Sequence, residues 1–383
     1  MLSQLAYNCF TVPEGQQLIG ADGKLNPSAT LGRTYEMDGQ KYYMTADDWN
    51  DAAYKTGLRQ EYNVSAKGMT DRSSFYVSLG YLNEEGVIDR SSYERISGRI
   101  KADYQAKDWL KLGVNAQYVN SMTKSNPNLS SSTNSTNLMY FTSSIAPIYP
   151  IYIRQVDENG NVYIKKHQYG HEAYDYGLPS GYGVTRPFLS TGNPLGNNRY
   201  NDVKTGFNQI NASVFADVIF TDWLKFNATS TIIYGISDFT DYENCFEGPK
   251  VGVNGELTRS NTSSTRTNNV QTLMFNKAFG KHNVDAMFGH EYYKSKGGYL
   301  ASVAEGGFSP AIEEIDAFAY KKDGSSYTTY YNVEGWFGRA QYNYDDKYFF
   351  SGSYRRDASS RFAKENRWGN FWSIGAAWLI NKE

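Results

Sequence analysis

Tyr93-Glu94-Arg95-Ile96-Ser97-Gly98-Arg99-Ile100-Lys101-Ala102-Asp103-Tyr104 and, beyond Gln105-Ala106-Lys107-Asp108-Trp109, Leu110-Lys111-Leu112-Gly113-Val114-Asn115-Ala116-Gln117-Tyr118 are two hydrophobic alternations of period two. Successive strand side chains point to opposite faces, so Ile96, Gly98, Ile100, Ala102 and Tyr104 share one side of a strand. Ser97, Arg99, Lys101, Asp103 and Gln105 share the other. The short break around Ala106-Lys107-Asp108 predicts a tight turn joining two long antiparallel strands. A third alternation precedes them, from Ser74 to Val87. What the apolar side of these strands meets decides the function.

Working outward, the same pattern recurs. A strand is expected over Arg59 to Gly68, and a pair around Thr221-Asp222 with Ile210, Ala212, Val214, Ala216, Val218 and Phe220 on one face. Further pairs are expected about Phe279-Gly280-Lys281-His282 and Asp345-Asp346-Lys347, with an eleventh strand near Trp368 to Ile380. Long polar connections are expected near residues 125–203, 239–266, 296–330 and 356–367, the first with a small hairpin around Asn159-Gly160. Tight turns therefore gather at one end and long loops at the other. A soluble sandwich or propeller has no reason to sort its loops this way, whereas an outer-membrane barrel has short turns on one side and long loops outside. Asp108-Trp109-Leu110-Lys111 and Asp222-Trp223-Leu224-Lys225 each put an aromatic ring just after a tight turn, where an interfacial girdle requires one. Residues 1–57 are poorly periodic and read as an irregular lead-in segment, with a short helix expected over Ala46 to Tyr54 behind an acidic first turn. Residues 58–383 hold the strands.

Composition agrees. Tyr at 33 copies and Gly at 35 among 383 residues, with 16% aromatic side chains, favour strands and turns. Lys plus Arg number 38 and Asp plus Glu 40, interspersed, so no basic field recruits nucleic acid. Cys9 and Cys245 are too few for a disulfide framework or a Cys-rich zinc site. No run of ~18 apolar residues is present, which excludes a helical span but not a barrel. The opening Met1-Leu2-Ser3-Gln4-Leu5-Ala6-Tyr7 lacks a basic region and a sustained apolar run, so it does not read as an export signal.

Catalytic patterns are missing. His167 and His171 have helical ligand spacing, but Gly170 and the surrounding tyrosines favour a loop and no third ligand is evident. Asp157-Glu158-Asn159-Gly160-Asn161 opens like a calcium loop and then puts Val162 where the loop needs Gly. The adjacent acids Glu84-Glu85, Glu313-Glu314 and Asp345-Asp346 do not converge as a glycosidase pair must. No nucleophile elbow, phosphate loop or dinucleotide fingerprint occurs, so neither an enzyme nor a cofactor is expected. Binding is the better expectation. Tyr149, Tyr152, Tyr169, Tyr174, Tyr176 and Tyr182 crowd the longest loop, and aromatic faces with polar tips suit sugar rings or peptides. Packing of the loop against itself, or against a lid, explains them equally well.

Several stretches also resemble a known family. Phe75-Tyr76-Val77-Ser78-Leu79-Gly80-Tyr81-Leu82-Asn83-Glu84-Glu85-Gly86, Asp108-Trp109-Leu110-Lys111, Phe279-Gly280-Lys281-His282-Asn283 and Tyr354-Arg355-Arg356-Asp357-Ala358-Ser359-Ser360-Arg361-Phe362 with Asn366-Arg367-Trp368-Gly369 are similar to barrel segments of the SusC/RagA class of TonB-dependent outer-membrane transporters of Bacteroidota. The similarity starts near Asp22-Gly23-Lys24-Leu25-Asn26-Pro27. It implies an all-β transmembrane barrel of 22 strands, plugged from inside, that imports oligosaccharides or peptides beneath a SusD-like surface lipoprotein with energy from TonB. On that resemblance the chain is a fragment, roughly the first half of the barrel, with the plug absent, residues 1–57 linking plug to barrel, and no transport competence of its own. Arg355, Arg356, Asp357, Arg361 and Trp368 match the family motif, and are expected to knit the loop after the tenth strand by charge-assisted bonds. Two other classes stay open: a soluble all-β carbohydrate-binding protein and an all-β glycan-cleaving enzyme. A barrel in lipid needs its apolar residues outside, and a soluble fold needs the reverse.

Overall fold

In the computed structural model, which describes residues 7–126, 135–167 and 169–382, the first ordered pieces are short. β1 (Phe10–Thr11) pairs with β2 (Thr30–Leu31), and β3 (Arg33–Met37) forms a hairpin with β4 (Gln40–Met44). Helix α1 (Trp49–Ala53) follows, capped by Asp48, whose carboxylate accepts from the Asn50 and Asp51 amides at 2.9 and 3.0 Å.

An antiparallel sheet of eleven strands makes up most of the remaining regular structure. In chain order its first four are β5 (Arg59–Met69), β6 (Ser73–Glu85), β7 (Ser92–Lys107) and β8 (Leu110–Ser125). A long excursion then carries α2 (Leu138–Ser144), β9 (Arg154–Val156), β10 (Val162–Ile164), α3 (Pro179–Tyr182) and α4 (Pro194–Tyr200). The sheet resumes with β11 (Asp202–Thr221), β12 (Leu224–Glu243), β13 (Glu256–Phe279), β14 (His282–Gly307), β15 (Phe318–Tyr344), β16 (Tyr348–Ser359) and β17 (Trp368–Trp378). Every strand lies beside its neighbour in sequence, and β11 pairs with β8 across the excursion. The edges are β5 and β17, each paired on one side among the described residues.

Pairing register carries the alternation across the sheet. Val77 stands opposite Ile100, Ile100 opposite Ala116, Ala102 opposite Val114 and Val114 opposite Val214, so one face is continuously apolar. That face is open: Leu79 is 66% exposed, Ile100 53%, Val214 54% and Ile374 82%. The opposite face is polar and cross-linked. Asp103 accepts from the Lys111 ammonium at 2.7 Å and from the Ser74 hydroxyl; Asn227 donates to Asp217 at 2.6 Å; Arg355 binds Glu291 at 2.8 Å. A soluble sheet hides its greasy face and wets the other. This one leaves its greasy face open.

The loops sort by end as expected. The connections 70–72, 108–109, 222–223, 280–281 and 345–347 are tight, and Asp345 and Asp346 take positive φ (56° and 52°) to close theirs. Two expected loops are shorter than read: 239–266 shrinks to 244–255 and 296–330 to 308–317, because β12 to β15 run on as polar strands beyond the apolar zone. Thr, Ser and Asn on both faces of Glu256 to Asn269 erase the alternation that would have betrayed them. The Asn159-Gly160 turn is also wider than a two-residue hairpin, since Asp157 accepts from the Asn159 and Asn161 amides and closes an Asx turn.

Residues 7–57, expected as an irregular lead-in, hold only the short pieces β1 to β4 and α1. β5 descends from the long-loop end at Arg59 to the tight turn at residues 70–72, where the Arg72 carbonyl accepts from the Gln105 amide of the adjacent hairpin at 2.7 Å. The segment before it therefore sits with the long loops. There Tyr7, Cys9, Tyr42, Met44, Trp49 and Ala53 share one buried core with Leu138, Phe141, Ile145, Ile151 and Leu195 of the excursion. Strand pairing joins them too, β4 meeting β9 to make the sheet β10-β9-β4-β3. This core is aperiodic in sequence because it is assembled from ribbons and loops, not from one amphipathic element.

Candidate functional site

The packed unit at the long-loop end, here termed the cap, is the only place among the described residues where large side chains and charges are buried together on this scale. Its centre is an ion pair. Arg186 and Asp175 are both 0% exposed, with Nη1 3.5 Å from Oδ2. The guanidinium also donates to the carbonyls of Phe188 (3.2 Å), Leu189 (2.5 Å) and Gly192 (2.6 Å), so its donors are spent on backbone. Asp175 accepts from the Gly177 amide at 3.0 Å and from the Tyr7 hydroxyl, which ties the first described residue of the chain to the excursion. Burial raises the Asp175 carboxyl above its ordinary value against the opposing pull of Arg186, and burial likewise pushes the Tyr7 phenol up.

Asn193 caps α4 through the Leu195 and Gly196 amides at 3.1 and 3.2 Å, while its amide nitrogen donates to the Ile151 and Asp175 carbonyls. A second pair lies beside α1, where Asp47 takes Arg154 in a two-pronged contact (3.0 and 2.6 Å) and the Ile151 amide at 2.7 Å. The Trp49 indole donates to the Tyr149 carbonyl at 3.0 Å.

The six candidate tyrosines are brought into this cap, mostly as packing. Tyr149, Tyr174, Tyr176 and Tyr182 are buried, Tyr152 is half-buried, and Tyr169 is 50% exposed. The Tyr182 hydroxyl donates to the Tyr152 carbonyl at 2.7 Å and accepts from the Arg154 amide, and Tyr176 donates to Asn197 at 2.7 Å. Tyr152 and Tyr174 rings lie 4.8 Å apart. Burial raises the phenols of Tyr174, Tyr176 and Tyr182. Tyr169 is the most exposed of the six.

The two histidines are drawn into a contact with the β12–β13 connection. His167 Nε2 lies 2.6 Å from Glu247, which also accepts from the Tyr174 amide, and His171 stacks on Phe246 with ring centroids 4.6 Å apart. Tyr200 closes edge-on against the same Phe246 at 4.8 Å. Burial raises Glu247 above the ordinary carboxylate value, and that of Tyr200 is pushed up to about 12. Sequence reading had no signal for Asp175, Arg186 or Glu247, each isolated in sequence from the partner it meets.

Arg355, Arg356 and Asp357 correct a second expectation. All three lie within β16, which runs past the expected loop start at residue 356, and β17 pairs with them through Phe371, Asn370 and Gly369. Alternation splits them: Arg355 turns to the polar face, bonded to Asp357 at 2.8 Å and to Glu291 at 2.8 Å, whereas Arg356 turns to the apolar face above the Trp368 ring. Arg361 lies 5.0 Å from the Tyr331 ring. The motif ties strands rather than a loop.

Rings border the apolar face at both ends. Toward the tight turns stand Tyr104, Trp109, Phe220, Phe279 and Trp378; toward the long loops stand Tyr62, Tyr118, Tyr234, Trp336 and Trp372, all exposed. Beyond the second row the same face turns polar at Glu94, Asn120, Asn208, Gln271 and Glu334. An apolar band of this height, between two aromatic rows, fits the ~9–11 tilted residues with which a strand crosses a bilayer.

No family model matches the chain. It is 25% identical over 342 residues to the TonB-dependent receptor P3 of Formosa agariphila, and 25% identical over 350 residues to the TonB-dependent receptor SusC of Bacteroides thetaiotaomicron. Each alignment covers 88% of this chain and 32% of the relative. The chain is similar to TonB-dependent receptors, SusC among them, over most of its length. It spans about a third of the length of the curated relatives it matches. Among solved structures, the RagAB peptide importer in its closed-closed state superposes with a TM-score of 0.68 at 19% identity, over 92% of this chain and 36% of that one. The eleven-stranded sheet thus has the fold of part of a TonB-dependent receptor barrel.

Proposed function

We propose that this chain forms part of the wall and outer cap of a TonB-dependent outer-membrane transporter that imports oligosaccharides or peptides together with a SusD-like surface lipoprotein. The observation that carries the reading is the inverted sheet: an exposed apolar band between two aromatic rows on one face, ion pairs and amide bonds on the other. Apolar side chains left open over eleven strands would aggregate in water, and in lipid they need no other cover.

In this reading residues 58–383 supply about half of a 22-stranded wall. Strands contributed by the rest of the protein pair with β5 and β17, since an unpaired sheet edge in hydrocarbon strands its amides and carbonyls. TonB acts through a plug region outside this chain. The excursion, from residue 135 onward, and the segment 7–57 together form the outside cap, where Tyr169 is offered to substrate and the lipoprotein rests. The homology to SusC and the likeness to the RagAB peptide importer support import of a nutrient too large for simple diffusion.

The test has two arms. The full-length protein should fractionate with outer membranes and run faster on gels unheated than boiled, and its loss should abolish growth on one oligosaccharide or peptide source while sparing growth on monosaccharides. A soluble monomer without a heat shift, or unchanged growth across a broad panel of both nutrient classes, would sink the reading.

A further inference from the structure

On the outer face of β14 to β17 the register places rows of side chains side by side. Phe288, Gly338, Tyr354 and Trp372 form one row, and Ala286, Ala340, Gly352 and Ile374 the next toward the tight turns. Glycine and alanine in the middle, with rings and a branched chain at the sides, leave a groove of about 650 Å³. It continues toward the long loops as a second hollow of about 520 Å³ between Phe288, Trp336, Tyr354, Arg356 and Trp368. The groove thus runs from the apolar band toward the long loops, apolar below and cationic above.

Arg356 closes its upper end. The guanidinium lies 4.9 Å from the Trp368 ring and makes no ion pair or hydrogen bond among the described residues. The acids nearby are engaged elsewhere. Asp357 faces inward on Arg355, and Glu334 accepts from the Trp336 indole at 3.2 Å and lies 3.4 Å from His290. Higher on the same face stand Lys294 and Lys296, neither in an ion pair among the described residues, with Lys296 over the Tyr330 ring. Cations just above an apolar band match the depth at which lipid headgroups carry their phosphate.

We propose that this groove is a binding site for a single phosphate-headgroup lipid of the leaflet at the long-loop end: acyl chains lie over Gly338, Ala340 and Gly352, and the phosphate sits on Arg356 with Lys294 and Lys296 beyond it. The proposal rests on the reading that the apolar face meets lipid. A planar guanidinium held by a tryptophan ring presents its edge to a phosphate in two-pronged geometry; an anionic headgroup leaves that phosphate's charge unopposed, whereas the ammonium of a zwitterionic one offsets it. The role is to fix the wall's rotation and height in the membrane at the point where its longest strands emerge.

The experiment is native mass spectrometry of the full-length protein, delipidated in detergent and titrated with dioleoylphosphatidylglycerol or dioleoylphosphatidylcholine. One phosphatidylglycerol should be retained roughly fivefold better than phosphatidylcholine, the equivalent of the ~1 kcal/mol a cation gains beside anionic lipid. Arg356→Gln should remove that preference and Arg356→Lys keep part of it. Gly352→Val should weaken both lipids, because the added side chain projects into the groove with no atom nearer than the Ser373 carbonyl at 3.9 Å. Equal retention of the two lipids, an unchanged preference in Arg356→Gln, or displacement by millimolar inorganic phosphate would overturn the proposal. If Arg356→Gln does not accumulate, the wild-type comparison of the two lipids decides. Retention of neither lipid by a protein that stays soluble without detergent would instead defeat the membrane reading on which the site rests.

Discussion

Arg186 and Asp175 meet at 3.5 Å with both side chains wholly removed from solvent, and every other donor of the guanidinium is committed to backbone carbonyls of residues 175–192. A buried pair of this kind is a poor source of stability relative to apolar packing, yet removing one member leaves the other charged and unpaired. Arg186→Ala is therefore expected to cost the cap about 3–5 kcal/mol. Limited proteolysis of the full-length protein should show residues 135–201 cleaved while the wall strands stay intact.

Tyr182 and Tyr169 separate structure from recognition. Tyr182→Ala removes a buried ring and the hydroxyl that bridges the Tyr152 carbonyl and the Arg154 amide, and should destabilise the cap by about 3–5 kcal/mol. Tyr169→Ala, half exposed, should leave thermal unfolding within ~0.5 kcal/mol of wild type and, in the proposed transporter, slow uptake. Unfolding curves for the two variants check the contrast.

Glu247 sets a pH dependence. Burial raises its folded-state carboxyl above the ordinary glutamate value, partly opposed by the bonds from His167 and the Tyr174 amide and reinforced by the charge of Asp175. A raised carboxyl pKa means the folded state binds the proton more tightly. The associated stability is then complete below the ordinary value of ~4.3 and is lost as pH rises through the raised one. Hydrogen-exchange protection of the Tyr174 amide, corrected for intrinsic rates, should fall across that window in the wild type. In Glu247→Gln the dependence on this group should vanish.

The two faces of the wall should respond oppositely to charge. Val214→Arg puts a cation in the middle of the apolar band, at about 2–4 kcal/mol if it lies at the bilayer midplane. Ser213→Arg, one residue away on the polar face, should be nearly silent apart from loss of the Thr231 hydroxyl bond. Folded yield in the outer membrane, read from the heat-dependent gel shift, measures both.

The wall was legible in sequence because period-two alternation survives wherever one face meets a uniform medium. Ile96, Ile100 and Tyr104 against Arg99, Lys101 and Asp103 needed only that rule. The polar extensions of β12 to β15 were not legible, since Ser260 to Asn269 meet water on both faces and carry no periodic signal. Nor was the cap. Its tyrosines were visible as a cluster, but whether Tyr182 binds or packs depends on Tyr7, Tyr42 and Tyr152 closing around it from elsewhere in the chain. The Arg355-Arg356-Asp357 motif is visible by resemblance, but Arg356 and Asp357 read as loop because matching residues does not count strand length. Counting β16 as far as Ser359 would have divided the two arginines between the faces.

The central claim, that the apolar face of the sheet lies against lipid, is tested most directly by nitroxide labels placed one at a time from position 95 to 104 in the full-length protein reconstituted in bilayers. Collision with oxygen should exceed collision with a water-soluble nickel chelate at 96, 98, 100 and 102, and the order should reverse at 97, 99, 101 and 103. Loss of the alternation, or oxygen preference at Arg99 and Lys101 positions instead of Ile96 and Ile100, would contradict it.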